Sequence, residues 1–121
     1  MPKKILVIDD DPDILEILDI IFKQEGYDVI LSETGHEPEH IQAINPDLVL
    51  LDITLKGSDT NGGEICVKIK SRPETSHLPV IMVSSEDNIK EISEMCGANA
   101  YISKPFKVSQ LINKINELLA A

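Results

Sequence analysis

The 121-residue sequence is poor in aromatic and basic residues, and each shortage argues against a class of function. Aromatic residues make up 3% of the chain, which leaves the loops almost nothing with which to sandwich a flavin. The 11 basic residues are outnumbered by 21 acidic ones, giving a net charge of −10. Because the phosphate backbone of nucleic acids attracts basic surfaces, we expect no binding of nucleic acid by this chain.

Cysteine pairs and long apolar runs are also missing. Cys66 and Cys96 stand singly among apolar residues and form no C-x-x-C motif, so we interpret them as buried thiols in a reducing compartment. The basic start of the chain is followed by an apolar run of only four residues, 5–8. Such a run is too short for a signal peptide or a membrane span. These features predict a cytoplasmic protein that has no membrane segment.

What the sequence does contain is a regular alternation of strand-like and helix-like segments. Three short, almost wholly apolar runs predict central strands of a parallel sheet that is covered on both faces. These runs are Ile5 to Ile8, Leu48 to Leu51 and Val80 to Val83. Two weaker runs with polar neighbours, Val29 to Leu31 and Ala100 to Ile102, predict edge strands.

Helical patterns fill the gaps between the strands, with apolar residues recurring at three- and four-residue spacing. In the first and last helices they are Ile14, Ile17, Leu18 and Ile21, and Val108, Leu111, Ile112, Ile115 and Leu118. Shorter pairs mark the second, third and fourth helices: Ile41 with Ile44, Ile65 with Ile69, and Ile89 with Ile92. The (βα)₅ pattern predicts one doubly wound α/β domain over residues 1–121. Its expected form is flavodoxin-like, a five-stranded parallel sheet with strand order 2-1-3-4-5.

Polar residues follow the predicted strands at their carboxyl ends. Asp9 and Asp10 follow the first strand, Asp52 the third, Ser84 the fourth and Lys104 the fifth. Because the carboxyl ends of parallel strands lie along one edge, these side chains should converge there, where the strand order reverses. Three crowded carboxylates repel one another without a cation, and Mg²⁺ suits a site made of a few carboxylates and several waters. The simpler alternative is that the first two acids interact with a helix dipole.

An ammonium group and a hydroxyl beside these acids indicate phosphoryl chemistry. Lys104 can neutralise a carboxylate and then bind a phosphoryl group, and Ser84 can donate to a phosphoryl oxygen. With a nucleophilic acid and a metal site, they describe phosphoryl transfer to a carboxylate. Each also has a simpler interpretation, as a surface lysine and a loop hydroxyl. Asp11 precedes Pro12 in a pattern typical of a helix start, and we assign it to capping.

Four stretches of the sequence resemble the response-regulator receiver family, and together they extend the resemblance over essentially the whole chain. They are KILVIDDD (4–11), PDLVLLD (46–52), PVIMVS (79–84) and GANAYISKPF (97–106). The resemblance implies that Asp52 accepts a phosphoryl group from a histidine kinase or a phosphotransfer protein. It also implies that Mg²⁺ is held by Asp9, Asp10, Asp52 and the backbone carbonyl of Thr54.

The same resemblance implies a switch. Ser84 matches the switch hydroxyl, and Lys104 matches the lysine that pairs with the phosphoryl group and precedes Pro105 through a cis bond. Tyr101 matches an aromatic residue that turns inward when the hydroxyl moves. The altered face of the fourth helix, fifth strand and fifth helix would then contact an output domain or target protein. Without the resemblance, an edge-strand tyrosine that packs its ring is an equally good interpretation of Tyr101.

The sequence departs from the family pattern beside the proposed site. The loop after Asp52 is longer than usual by about two residues and carries Lys56 where proline is common. Ser85 stands where alanine is common. Thr54 and Glu86 occupy positions where the family tunes the attack of water on the acyl phosphate, so the resemblance implies that these two residues set the rate of hydrolysis.

Two other classes of function stay open at this stage. One is a Mg²⁺-dependent phosphohydrolase with an aspartyl-phosphate intermediate, although such enzymes commonly have a second acid where Thr54 stands. The other is a constitutive interaction module without phosphorylation, although the intact set of acids, hydroxyl and lysine argues against it. A receiver domain catalyses its own phosphorylation and dephosphorylation, so whether it counts as an enzyme is partly a matter of convention.

Overall fold

Five strands and five helices alternate along the part of the chain that the structure describes. The computed structural model describes residues 2–33, 38–53 and 61–120. The strands are β1 (Lys4–Ile8), β2 (Asp28–Ser32), β3 (Leu48–Asp52), β4 (Val80–Ser84) and β5 (Ala100–Ser103). The helices are α1 (Pro12–Gln24), α2 (Pro38–Ile44), α3 (Gly62–Ser71), α4 (Ile89–Cys96) and α5 (Val108–Ala120). None of the described helices combines the length and apolarity needed to cross a membrane.

All five strands pair in parallel in the order β2-β1-β3-β4-β5. The predicted fold class and strand order are therefore confirmed. Ile8 at the end of β1 lies opposite Leu51 in β3. The next residue along each strand, Asp9 and Asp52, is thereby brought to the same edge, at the point where the strand order reverses.

The core has two halves, one on each face of the sheet. Successive side chains of a strand point to opposite faces. Leu6 therefore packs in a cluster with residues of α2, α3 and α4, whereas its neighbour Val7 packs with residues of α1 and α5. Burial of each large apolar side chain contributes roughly 1.5–3 kcal/mol. β1, β3 and β4 are buried on both sides, and this accounts for their almost wholly apolar sequences.

The helices form where the sequence predicts them, but two residues of the predicted apolar faces are exposed. Ile17 in α1 has 54% of its surface exposed, and Val108 at the start of α5 has 44%. The buried residues of α1 are instead Leu15, Leu18 and Phe22. Because α1 is apolar on more than one side, its spacing alone did not identify the face that packs on the sheet.

Capping residues set the limits of α1 and α3. The Asp11 side chain accepts a hydrogen bond from the Asp13 backbone N–H (2.9 Å), which confirms its assignment as a helix cap. Asn61 does the same for α3 by accepting from the Glu64 N–H (2.9 Å). Such caps stabilise a helix by about 1 kcal/mol. Gly26, with a φ of 87°, follows the last turn of α1.

The two cysteines are buried and unpaired, on helices α3 and α4. The Cys66 thiol donates to the Cys96 carbonyl oxygen (3.4 Å). Burial, with the neighbouring Cys96 side chain as a smaller cause, raises the pKa of Cys66 to about 12. The interpretation of both residues as buried thiols is therefore confirmed.

Candidate functional site

Three carboxylates meet at the carboxyl edge of the sheet. Asp9 and Asp52 are buried, at 4% and 6% exposure, and Asp10 is half-buried. One carboxylate oxygen from each lies within 4.8 Å of the other two. The Asp9 N–H donates to the Ser32 carbonyl oxygen (3.0 Å), so hydrogen bonding between β1 and β2 continues one residue beyond β1 and fixes Asp9 at the edge.

Lys104 places an ammonium group between two of these carboxylates. Its Nζ lies 3.1 Å from Asp9 Oδ2 and 3.2 Å from Asp52 Oδ2. The Lys104 backbone N–H donates to the Ser84 carbonyl oxygen (2.9 Å), and the following Lys104–Pro105 peptide bond is cis, as expected. Burial alone would lower the pKa of Lys104, but attraction to Asp52 and then to Asp9 outweighs it and raises this pKa. The ammonium is therefore charged at neutral pH.

The oxygens of Asp9 have separate partners. Oδ2 accepts from Lys104, while Oδ1 accepts from the Asp11 backbone N–H at 2.9 Å. Charge-assisted bonds of this kind are among the stronger hydrogen bonds in proteins. Asp9 is therefore held rigidly, whereas the side chain of Asp11 caps α1 and does not join the cluster of acids.

Ser84 ends β4 next to Asp52. The Asp52 backbone pairs with that of Val83, one residue before Ser84. The Ser84 hydroxyl is buried and accepts from the Glu86 backbone N–H (3.1 Å). Because a hydroxyl both accepts and donates, the Ser84 O–H can donate toward a group placed over Asp52.

A cavity of about 470 Å³ opens above these side chains. It is lined by Asp10, Asp11, Pro12, Asp52, Ser84, Ser85, Glu86 and Lys104. Residues that follow four different strands in the sequence therefore line the same cavity. Ser85 and Glu86 are exposed at its mouth, where they can contact an incoming group or water.

Gly62 supports the site and was not identified from the sequence. A Cβ atom at this position would lie 2.0 Å from the Asp52 carbonyl oxygen and 2.8 Å from the Ile53 Cα. The Gly62 N–H donates to the Ile53 carbonyl oxygen (2.7 Å). The start of α3 thus rests directly on the backbone of Asp52. The Gly-Gly pair at residues 62–63 was the available signal.

The remaining predicted site residues lie elsewhere or outside the described part of the chain. Tyr101 pairs with Met82 in the sheet, is 40% exposed and does not line the cavity. The predicted ligand Thr54 lies outside the described residues. So do Lys56 and most of the loop after Asp52.

The donor set fits a hard divalent cation. Three carboxylate oxygens within 4.8 Å, opposed by one ammonium, leave the site with excess negative charge. Mg²⁺ prefers oxygen ligands and usually keeps several of its waters, for which the open cavity leaves room. The same arrangement puts a carboxylate nucleophile, a cation and a hydroxyl donor around one space.

Comparison with protein families gives a match over most of the chain. Residues 5–116 match the response regulator receiver domain. The receiver domain of NtrX from Brucella abortus has 35% sequence identity and a TM-score of 0.81, over 97% of this chain and 98% of that chain. In a longer structure of NtrX, this chain covers 27% of the length.

Two further solved structures are similar. The BeF₃-activated N-terminal receiver domain of RstA from Klebsiella pneumoniae has 28% identity and a TM-score of 0.86, over 98% of this chain and 100% of that chain. The receiver domain of the sensor histidine kinase PA1611 from Pseudomonas aeruginosa has 21% identity and a TM-score of 0.89, over 100% of each chain. That structure has magnesium coordinated in its active-site cleft, but at this identity the likeness supports the fold alone.

Proposed function

Because this chain belongs to the response regulator receiver domain family, we propose that it is a phosphorylatable switch of a two-component system, with Asp52 as the phosphoryl acceptor. The observation that carries the proposal is the contact of Lys104 Nζ with both Asp9 and Asp52, within a cluster of three carboxylates that opens into a cavity. We take residues 1–121 as one such domain and expect it to act in the cytoplasm, since unpaired buried thiols are typical of reducing compartments.

In the proposed reaction, a carboxylate oxygen of Asp52 attacks the phosphorus of a phosphohistidine. The new O–P bond forms as the P–N bond breaks, and its electron pair returns to the imidazole of a histidine kinase or phosphotransfer protein. Lys104, already beside Asp52, neutralises the carboxylate and then binds a phosphoryl oxygen. Ser84 turns its O–H toward a second phosphoryl oxygen.

Asp9, Asp10 and Asp52 would hold Mg²⁺, with the Thr54 carbonyl as a further ligand. When bound, the ion would neutralise charge that develops on the phosphoryl oxygens. The surrounding residues orient these ligands. Asp9 is oriented by the Asp11 N–H and by Lys104, so its carboxylate needs little reorganisation to act as a ligand.

The output of the switch is a change in the face made by α4, β5 and α5. Phosphorylation adds charge and acceptor oxygens at the sheet edge, and these attract Ser84 and Lys104. The loop between β4 and α4 follows Ser84, and Tyr101 turns inward into the space that is vacated. Phosphorylation need only favour one of two existing conformations. The partner on this face would be an output domain or a separate target protein, as the longer length of NtrX suggests.

The proposal is tested by the intact mass of the protein after incubation with acetyl phosphate, with and without Mg²⁺. We expect a phosphoryl adduct that needs Mg²⁺ and is absent from the Asp52→Asn variant. Asp87→Asn, which removes an exposed acid nearby, is the matched control and should still form the adduct. An adduct that persists in Asp52→Asn would contradict the assignment of the acceptor. Absence of any adduct in the wild-type protein, with Mg²⁺ binding intact, would favour a constitutive interaction module.

A further inference from the structure

A second polar cavity lies away from the acids, between the end of α4, β5 and the first turns of α5. Its volume is about 530 Å³. Its walls include Ser93 of α4 and Tyr101 of β5. Ser93 is buried, with 2% of its surface exposed, whereas 40% of the Tyr101 surface is exposed. The cavity therefore connects a buried hydroxyl with the side chain that is proposed to switch.

The Ser93 hydroxyl has no hydrogen-bond partner among the described residues. Its backbone carbonyl, by contrast, accepts from the Ala98 N–H (3.0 Å) and from the Cys96 thiol (3.7 Å). A buried hydroxyl without a partner costs free energy, and such groups are rare enough to need an explanation. Serine is also a weaker helix former than alanine. In this conformation Ser93 is therefore less favourable than alanine in two respects.

The strand register places Tyr101 on the side of the sheet that α4 covers. Tyr101 pairs with Met82. Met82 packs in the same cluster as Ile89 and Cys96 of α4, while Ile102 packs in the opposite cluster, with residues of α1 and α5. An inward turn of the Tyr101 ring over Met82 would carry its O–H beneath α4. Ser93 is the buried residue in the middle of that helix.

We infer that Ser93 is a positioning residue for the switch, and that its Oγ accepts a hydrogen bond from the Tyr101 O–H when Tyr101 turns inward. The inference rests on the proposed switching role of Tyr101. Because the hydrogen bond exists only in the inward conformation, it favours that conformation over the outward one. A net hydrogen bond of ordinary strength would raise the ratio of inward to outward conformers roughly five- to tenfold.

The first test follows Tyr101 directly. The chain has two tyrosines, so incorporation of 3-fluorotyrosine gives two ¹⁹F NMR signals, and the Tyr27→Phe variant assigns them. Beryllofluoride with Mg²⁺ serves as a stable mimic of the phosphoryl group. We expect it to shift the Tyr101 signal toward an inward position in the wild-type protein. In Ser93→Ala the inward-to-outward ratio should fall roughly five- to tenfold. Ser109→Ala, an exposed serine of α5, should behave like the wild type.

The second test asks whether the two hydroxyls act as a pair. Ser93→Ala and Tyr101→Phe should each weaken beryllofluoride binding several-fold, and the double variant should bind no more weakly than either single variant. Additive losses would overturn the hydrogen bond between them. An equal Tyr101 shift in Ser93→Ala and wild-type protein would overturn this inference while leaving the proposed function intact. No Tyr101 shift in the wild type, despite beryllofluoride binding, would overturn the switching role of Tyr101 and this inference with it.

Discussion

Among the residues that the structure describes, Lys104 sets one positive charge against the three carboxylates of Asp9, Asp10 and Asp52, which leaves an excess of two negative charges. At an effective dielectric constant of about 20, like charges that lie within 4.8 Å of one another repel by about 3.5 kcal/mol or more, while Lys104 attracts Asp52 across 3.2 Å by about 5 kcal/mol. Two such repulsions together exceed the attraction between Lys104 and Asp52. This balance of the described charges predicts that the carboxylate of Asp52 destabilises the fold when no cation is bound.

This excess charge predicts that Asp52→Asn is more stable than the wild type in the presence of a chelator. The expected gain is on the order of 1–2 kcal/mol, or about 5 °C in Tm for a chain of this size. Thermal unfolding of both proteins in EDTA would measure it. The exposed control Asp87→Asn should change Tm little. Equal or lower stability of Asp52→Asn would mean that Lys104 already compensates the cluster fully.

Lys104, unlike Asp52, stabilises the folded protein. Because its pKa is shifted, this stabilisation depends on pH. Its pKa is raised above 10.5 in the folded protein. An ionisable group whose pKa is higher in the folded state contributes its full stabilisation of the fold at pH values below its unfolded pKa. This stabilisation is lost as the pH rises through the folded pKa. The contribution of Lys104 should therefore stay constant from neutral pH to about pH 10 and decline above pH 10.5.

Urea unfolding of Lys104→Gln and wild-type protein at several pH values would check this expectation. Near pH 7 the variant should be less stable by about 2 kcal/mol, because two largely buried carboxylates lose their cation. The difference should narrow above pH 10.5, where the wild type loses the same charge. The exposed Lys107→Gln serves as the control. A difference that grows with pH would contradict the assigned direction of the pKa shift.

Among individual residues, the sequence revealed those whose position follows from the ends of the strands. Apolar runs stop abruptly at Asp9, Asp52 and Ser84, and a parallel sheet brings such ends to one edge without further information. The sequence did not reveal the shared contact of Lys104 with two acids or the unpaired hydroxyl of Ser93. Both depend on distances between elements that are far apart in the chain, which periodicity does not encode.

Among the helices, α3 is linked directly to the site, because it begins against the backbone of Asp52. A methyl group on Gly62 would lie 2.0 Å from the Asp52 carbonyl oxygen. Either α3 or the end of β3 must therefore move to accommodate it. The adjacent Gly63 differs: its nearest contact would be the Asn61 side-chain oxygen at 3.2 Å. The two glycines provide a matched pair within one helical turn.

Gly62→Ala should therefore lower the free energy of unfolding by about 3 kcal/mol and slow the phosphorylation of Asp52 by acetyl phosphate. Gly63→Ala should change stability by no more than about 1 kcal/mol, because the better helix propensity of alanine is opposed by its close approach to the Asn61 oxygen that caps α3. Urea unfolding and the rate of adduct formation would measure the two effects. Similar stability of both variants would show that α3 can shift away from Asp52 at little cost.

The elements also show where sequence periodicity stops being informative. α4 and α5 each present a well-defined apolar face, whereas α1 carries isoleucines on several sides. Ile17 and Ile20 are more than half exposed, although they are as hydrophobic as the buried Leu18. Only the packing of α1 against the sheet distinguishes these residues. The existence and order of the elements could therefore be predicted better than the faces they bury.

For the molecule as a whole, binding at the acidic cluster is linked to global unfolding. A cation that binds only the folded chain stabilises it by about 1.4 kcal/mol for a concentration near ten times its Kd. For 121 residues this corresponds to a rise of roughly 4 °C in Tm. The net charge of −10 adds a second, diffuse effect, since any salt screens repulsion over the whole surface. Binding at the cluster depends on its three carboxylates, whereas screening by salt depends only on the total charge.

We therefore expect MgCl₂ to raise the Tm of the wild type above its value in KCl at equal ionic strength, with saturation as the site fills. In the Asp9→Asn/Asp10→Asn double variant this excess over KCl should disappear, because two of the three carboxylate ligands are lost. Replacing two exposed acids away from the site, Glu16 and Glu117, by glutamine changes the net charge equally and should preserve the excess. If instead both double variants lose the same part of the Mg²⁺ effect, the ion acts on the negative surface in general, and the cluster at the sheet edge is no selective site.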